Sequence, residues 1–118
     1  MKEVKWSRLL RYTPENVGKI TQDAGIYVIY VQYKNGYWGP IYAGRAKNLR
    51  RRLSDHLKDS EENDCLKQHV KEYTLGFVAA IVKSQKSRAA YEKYLIVEFE
   101  PECNVLPEDV IQINLARV

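Results

Sequence analysis

Glu92 is the residue whose position most needs a chemical explanation. The stretch from Ser84 or Ser87 to about Phe99 reads as a helix stopped by Pro101. On its wheel Glu92 falls with Ala89, Leu95, Ile96 and Phe99, in the middle of an apolar face. A carboxylate there is costly unless it is paired or bound to a metal. Two readings stand side by side: a structural ion pair, with Arg52 as its partner, or a ligand for a divalent cation of the hard, oxygen-seeking kind. Tyr27 and Tyr42 are weighed the same way. The chain has nine tyrosines, and a core or surface role is the default for each. A free phenol titrates near pH 10, so either one serves as a base only beside cations that lower it. Arg45, Lys47, Arg50, Arg51, Arg52 and His56 complete the reactive set; the plain alternative is a solvated basic face for Arg45, Lys47, Arg50 and Arg51, a surface or N–H-donor role for His56, and the ion pair for Arg52.

The elements that carry these groups can be read in outline. Gly25 to Tyr33 places Ile26, Val28 and Tyr30 on one face and Tyr27, Ile29 and Val31 on the other. Apolar on both faces, it reads as a central strand covered on both sides. Asn35-Gly36 is a hairpin signal, with Trp38-Gly39-Pro40 implying an irregular return into a second strand over Ile41 to Ala43. A helix is expected from near Ala46 or Lys47. At about 100° per residue, Leu49, Leu53 and Leu57 lie within about 80° and form its packing stripe. Arg45, Arg52 and His56 border that stripe, while Lys47, Arg50 and Arg51 point to solvent. Tyr73 to Val82 is a third apolar strand, and Asn63 can cap a short helix before it. Thr13-Pro14-Glu15 opens another short helix within a covering segment, residues 1–22. Ile111, Ile113 and Leu115 alternate with polar residues as an edge strand would.

At 118 residues the chain is read as one domain, 1–118, with its core over about 23–104. The expected architecture is α/β in the α+β sense: a small, mainly antiparallel three-stranded sheet between helices. No apolar run reaches the roughly 18 residues of a membrane span, and the start lacks a signal-peptide core, so the expected setting is cytoplasmic. The net charge of +4 is a weak signal alone. Its concentration between Arg45 and Lys58, ahead of the acidic stretch Asp59 to Asp64, points to a polyanion-binding face made by Arg45, Lys47, Arg50 and Arg51. Cys65 and Cys103 fit no CxxC pattern and are expected as buried reduced thiols. Zinc is not expected, for want of paired ligand spacing.

Gly25-Ile26-Tyr27, Tyr42-Ala43-Gly44 and Gly-x-x-x-Asn-Leu-x-x-Arg-Leu-x-x-His from Gly44 to His56 resemble the GIY-YIG nuclease domain. The resemblance extends to Glu92, twelve residues before Asn104. It implies that Tyr27 and Tyr42 are the two motif tyrosines and Arg52 the catalytic arginine. Arg45 takes a place often held by lysine or arginine, Glu92 that of the metal ligand, and Asn104 that of the asparagine that supports the site. Asn104 is also a candidate nucleic-acid contact, or only a turn former. Two positions depart from the pattern: Ala43 stands where isoleucine or valine is usual, and Cys103 where tyrosine is frequent.

The expectation that results is a metal-dependent endonuclease hydrolysing DNA phosphodiester bonds, with one magnesium or manganese ion on Glu92. Arg52, with Arg45, would neutralise phosphate charge, and Tyr27, ahead of Tyr42, would act as base, with His56 the other group able to move the proton. A protein partner or oligomer would supply specificity. The rival is a catalytically silent nucleic-acid-binding or interaction module on the same fold.

Overall fold

Residues 3–104 are described by a computed structural model, and in them the three apolar runs become neighbouring strands. The elements in order are β1 (Leu10–Arg11), α1 (Pro14–Val17), β2 (Gly25–Gln32), β3 (Trp38–Ala46), α2 (Leu49–His56), α3 (Asp64–Glu72), β4 (Leu75–Ile81) and α4 (Gln85–Phe99). The sheet runs β1-β4-β2-β3 and every pairing is antiparallel. It therefore has four strands rather than three. β1 is two residues long, too short to show a period of two, and arises inside the expected covering segment by pairing with β4. The Ile111 to Leu115 expectation lies outside the described residues.

β2 is the centre, and its alternation divides the molecule. Tyr27, Ile29 and Val31 pack with Leu49, Leu53, Leu66 and Phe77 under the first three helices. Ile26 and Val28 pack with Ala43, Leu95 and Ile96 under α4. Ala43 is fully buried there, on the face away from Tyr42. Phe99, by contrast, is 41% exposed and does not share the buried stripe.

β3 is longer than expected, and its register is what creates the site. Tyr30 faces Pro40 and Ile29 faces Tyr42, so Ile41 is an extra residue. Proline lacks the N–H that regular pairing needs, and a bulge beside it accommodates that loss. One residue of slip exchanges the faces of a strand. The bulge thus sets Tyr42 on the same face as Ile29 and Tyr27. β3 then continues through Ala46, so α2 begins later than expected, with Asn48 as N-cap accepting from the Arg51 N–H at 3.0 Å.

The two motif glycines are places of close approach. A Cβ on Gly44 would collide with the Tyr27 hydroxyl and ring, and one on Gly25 with the Ala80 carbonyl and with Leu49. Gly44→Ala is therefore expected to destabilise the chain by about 1–3 kcal/mol and to displace Tyr27. Thermal unfolding together with the tyrosine spectrum checks both effects.

Candidate active site

The helix α2 lays Leu49 and Leu53 against the Tyr27 face and ends with His56 in the interior, 1% exposed. A buried imidazole must satisfy both nitrogens, and here it does. His56 Nε2 lies 2.7 Å from the Tyr27 hydroxyl, and Nδ1 lies 2.8 Å from Glu61 Oε2. The carboxylate accepts only, so Nδ1 carries the proton and Nε2 accepts from Tyr27. Burial lowers the His56 pKa, opposed by its hydrogen bond to Glu61. The result is a line of groups, Glu61–His56–Tyr27, through which a proton can be held or passed.

Arg52, one turn before His56, is exposed and faces the hydroxyl oxygens of both Tyr27 and Tyr42 closely enough to donate to each. Tyr42 sets its ring edge-on to His56, with centroids 5.2 Å apart. The two phenols differ in access. Tyr27 is 1% exposed, and burial, reinforced by Tyr42, holds its pKa well above the usual range despite Arg52. Tyr42 is only partly buried, and burial raises its pKa with Arg52 opposing. Tyr27, expected to stand first as base, is thus the more deeply buried of the two phenols, and Tyr42 the one that solvent reaches.

Glu92 approaches from the other side of β3. Arg45 lies opposite Ile26 and so points to the α4 face, where its Nε is 3.5 Å from Glu92 Oε1. The partner expected for Glu92 was Arg52; the strand register gives it Arg45 instead. The pair is open, with side-chain exposures of 46% and 27%. Burial raises the Glu92 pKa, while the Arg45 charge and backbone N–H oppose the rise. β3 is the edge strand, and the Glu92 charge is felt by Tyr27 and Tyr42 on its other face.

Asn104 fastens that edge. Its Oδ1 accepts from the Ala43 N–H at 2.7 Å and its Nδ2 donates to the Ala43 carbonyl at 3.0 Å. With both ends of the amide engaged, Asn104 is a clamp on the strand bearing Tyr42, and the nucleic-acid contact expected of it is not supported. Arg50 also departs from expectation. Its Nε donates to the Ile20 carbonyl at 2.7 Å, which ties α2 to the preceding loop. Arg45, Lys47, Arg51 and Arg52 line an open cleft of about 380 Å³, together with Asp55.

Sequence reasoning missed three features. Glu61 lay inside an acidic stretch with nothing to mark it; its spacing of five residues from His56 was the sole clue. Asn63 was read only as a cap, yet besides capping α3 it donates to the Cys103 carbonyl at 3.0 Å. Cys65 and Cys103, expected reduced, are joined in a disulfide with Cα atoms 5.3 Å apart, because α3 and the Asn104 loop converge.

The fold brings together a buried Glu61–His56–Tyr27 line, an exposed arginine beside it and a carboxylate across the edge strand, and sequence kinship identifies the class as a nuclease domain. The family model described as the GIY-YIG catalytic domain matches residues 23–104, and the chain belongs to the GIY-YIG family. It is 33% identical over 87 residues to UvrABC system protein C of Thermosipho africanus, covering 74% of this chain and 14% of that protein. With the same protein of Rickettsia typhi it shares 33% over 69 residues, 58% of this chain and 11% of the relative. The chain thus spans only a small part of the length of these relatives. The N-terminal endonuclease domain of UvrC from Thermotoga maritima, solved bound to its catalytic divalent cation, magnesium, is 25% identical with a TM-score of 0.56, covering 77% of this chain and 98% of that one. Among the described residues no helix is long and apolar enough to cross a membrane.

Proposed function

We propose that this chain, acting as a single domain over 1–118, is a metal-dependent endonuclease that hydrolyses DNA phosphodiester bonds. The observation that carries the reading is the Glu61–His56–Tyr27 line meeting Arg52 beside the partly open Tyr42. A structural core would not need a buried histidine joined to a carboxylate on one side and a phenol on the other.

In this reading Arg45, Lys47 and Arg51 hold the DNA backbone in the basic cleft. Arg52 donates to the phosphate oxygens on which charge develops. Tyr42, the more accessible phenol, orients the attacking water. The water's proton enters the tyrosine pair and comes to rest on His56 Nε2, where Glu61 stabilises the imidazolium through Nδ1. Neither phenol has to exist as a free phenolate. That removes the difficulty raised by their upward-shifted pKa values.

The donor set suits a hard cation. Glu92 offers a carboxylate with 27% of its side chain exposed. Magnesium is commonly held by one or two carboxylates while keeping waters and taking substrate phosphate oxygens. Bound there, magnesium or manganese supplies Lewis-acid stabilisation of the phosphate and leaving oxygens. Arg45 then holds Glu92 ionised against the upward pull of burial. Kinship with the UvrC proteins supports a place in DNA repair, with partner proteins supplying the address.

Incubation with supercoiled plasmid and with flapped or branched DNA tests the reading. Cleavage is expected in magnesium or manganese and none in chelator. Binding without cutting on every substrate, in either metal, would instead identify a silent nucleic-acid-binding module.

A further inference from the structure

Away from the sheet edge, α3 and the Asn104 loop bring together three soft donors that the proposed cleavage chemistry does not use. Cys65 Sγ, Cys103 Sγ and one nitrogen of His69 lie within 4.8 Å of one another. His69 Nδ1 is 4.0 Å from Cys65 Sγ and 3.7 Å from Cys103 Sγ. Cys65 and His69 are four residues apart on one helix, so they share a face. The opposite ring nitrogen, Nε2, is 3.3 Å from Glu102 Oε2. A carboxylate behind a histidine fixes its tautomer and strengthens it as a ligand.

We propose that Cys65, His69 and Cys103 form a binding site for a thiophilic divalent cation of the zinc class, and that the disulfide is the oxidised, metal-free form of the same cluster. His69 has a hydrogen bond available in each state. In the disulfide form Nδ1–H donates to the Cys65 carbonyl oxygen, 2.8 Å away. In the metal form the proton sits on Nε2 and is donated to Glu102, leaving Nδ1 bare towards the two sulfurs. Two thiolates, one imidazole and one water make a four-coordinate set of the kind zinc takes.

Conversion balances simply. A phosphine reductant takes the oxygen of one water to become its oxide, and the S–S bond becomes two thiols. The cation then displaces both thiol protons, leaving two metal–sulfur bonds. Either form ties α3 to Cys103. From there the tie runs directly to β3: the Cys103 N–H donates to the Ile41 carbonyl at 2.8 Å, and Asn104 clamps Ala43. The site is thus a fastener for the strand that carries Tyr42.

The test is a cobalt titration of the intact chain after phosphine reduction, followed by sulfur-to-cobalt charge-transfer absorption. One equivalent should bind with that band and be displaced by zinc, and unreduced protein should give no band. Glu102→Gln, a surface change that leaves the three ligands in place, should weaken cobalt binding by about 10–100-fold. Cys65→Ser with Cys103→Ser should abolish the band. Absence of the band from the reduced wild-type chain would overturn the proposal. So would an unchanged affinity in Glu102→Gln, or an undiminished band in the double variant.

Discussion

Arg52→Ala is expected to lower DNA cleavage by on the order of 10²–10³-fold, the range for removing one donor aimed at developing oxyanion charge. The guanidinium is exposed to substrate and stands beside the Tyr27 and Tyr42 phenols, so its charge is in place before DNA arrives. Arg52→Lys should recover little. An ammonium is a point charge and cannot reach Tyr27, Tyr42 and a phosphate with the fixed fork that arginine presents. Since the side chain is exposed, thermal unfolding should shift little. DNA affinity should fall far less than the rate, because Arg45, Lys47 and Arg51 remain in the cleft. Single-turnover rates and binding isotherms measured on the same substrate separate these effects. A parallel fall in affinity and rate would make Arg52 one more backbone contact.

His56→Ala is expected to damage both stability and activity. It removes the acceptor of the Tyr27 hydroxyl and the donor to Glu61 Oε2, leaving Glu61 only the Asn63 N–H on Oε1, and empties a fully buried site. Each unsatisfied buried group costs about 1–3 kcal/mol, which is a large share of the stability of a domain this size. Activity should fall further, since the proton has no resting place. In the wild-type chain His56 also imposes a pH dependence. Its folded pKa is depressed below the ordinary 6.5 by burial. Above 6.5 both folded and unfolded chains hold it neutral, and its full contribution to stability is present. As pH falls below 6.5 the unfolded chain takes up the proton first, so stability declines until the folded pKa is passed. Cleavage should fall over the same acid range, because protonated His56 has no lone pair to accept from Tyr27. Thermal unfolding of wild type and His56→Gln between pH 8 and 5 checks this: the variant should lose the slope that His56 contributes.

The parts of this site that could be read from the sequence were those fixed by short-range periodicity. Period two put Tyr27 opposite Ile26 across β2, and the wheels separated Arg52 and Glu92 from neighbours of the same type. The longer-range geometry was not accessible in that way. The wheels gave directions without partners, so Glu92 was paired with Arg52 when the β3 register delivers Arg45. Trp38-Gly39-Pro40 announced an irregular return, but the bulge at Ile41 that turns Tyr42 to the Tyr27 face depends on strand pairing. Glu61 reaches His56 only because the chain folds back after α2. Cys65 and Cys103 are 38 residues apart and meet only through the packing of α3 against the Asn104 loop. The local sequence there shows only that Cys65 and His69, four residues apart, share a face of one helix.

In the proposed function Glu92 turns a phosphate-binding edge into a metal-dependent active site, and one comparison tests that role directly. Single-turnover cleavage of a labelled flapped DNA in magnesium is measured for the wild-type chain and for Glu92→Gln, which keeps the side-chain shape and removes the charge. Cleavage is expected from the wild type, loss of cleavage from the variant at any magnesium concentration, and DNA binding from both. Glu92→Gln that cuts at the wild-type rate would contradict it and leave the Arg45–Glu92 contact as an ion pair alone.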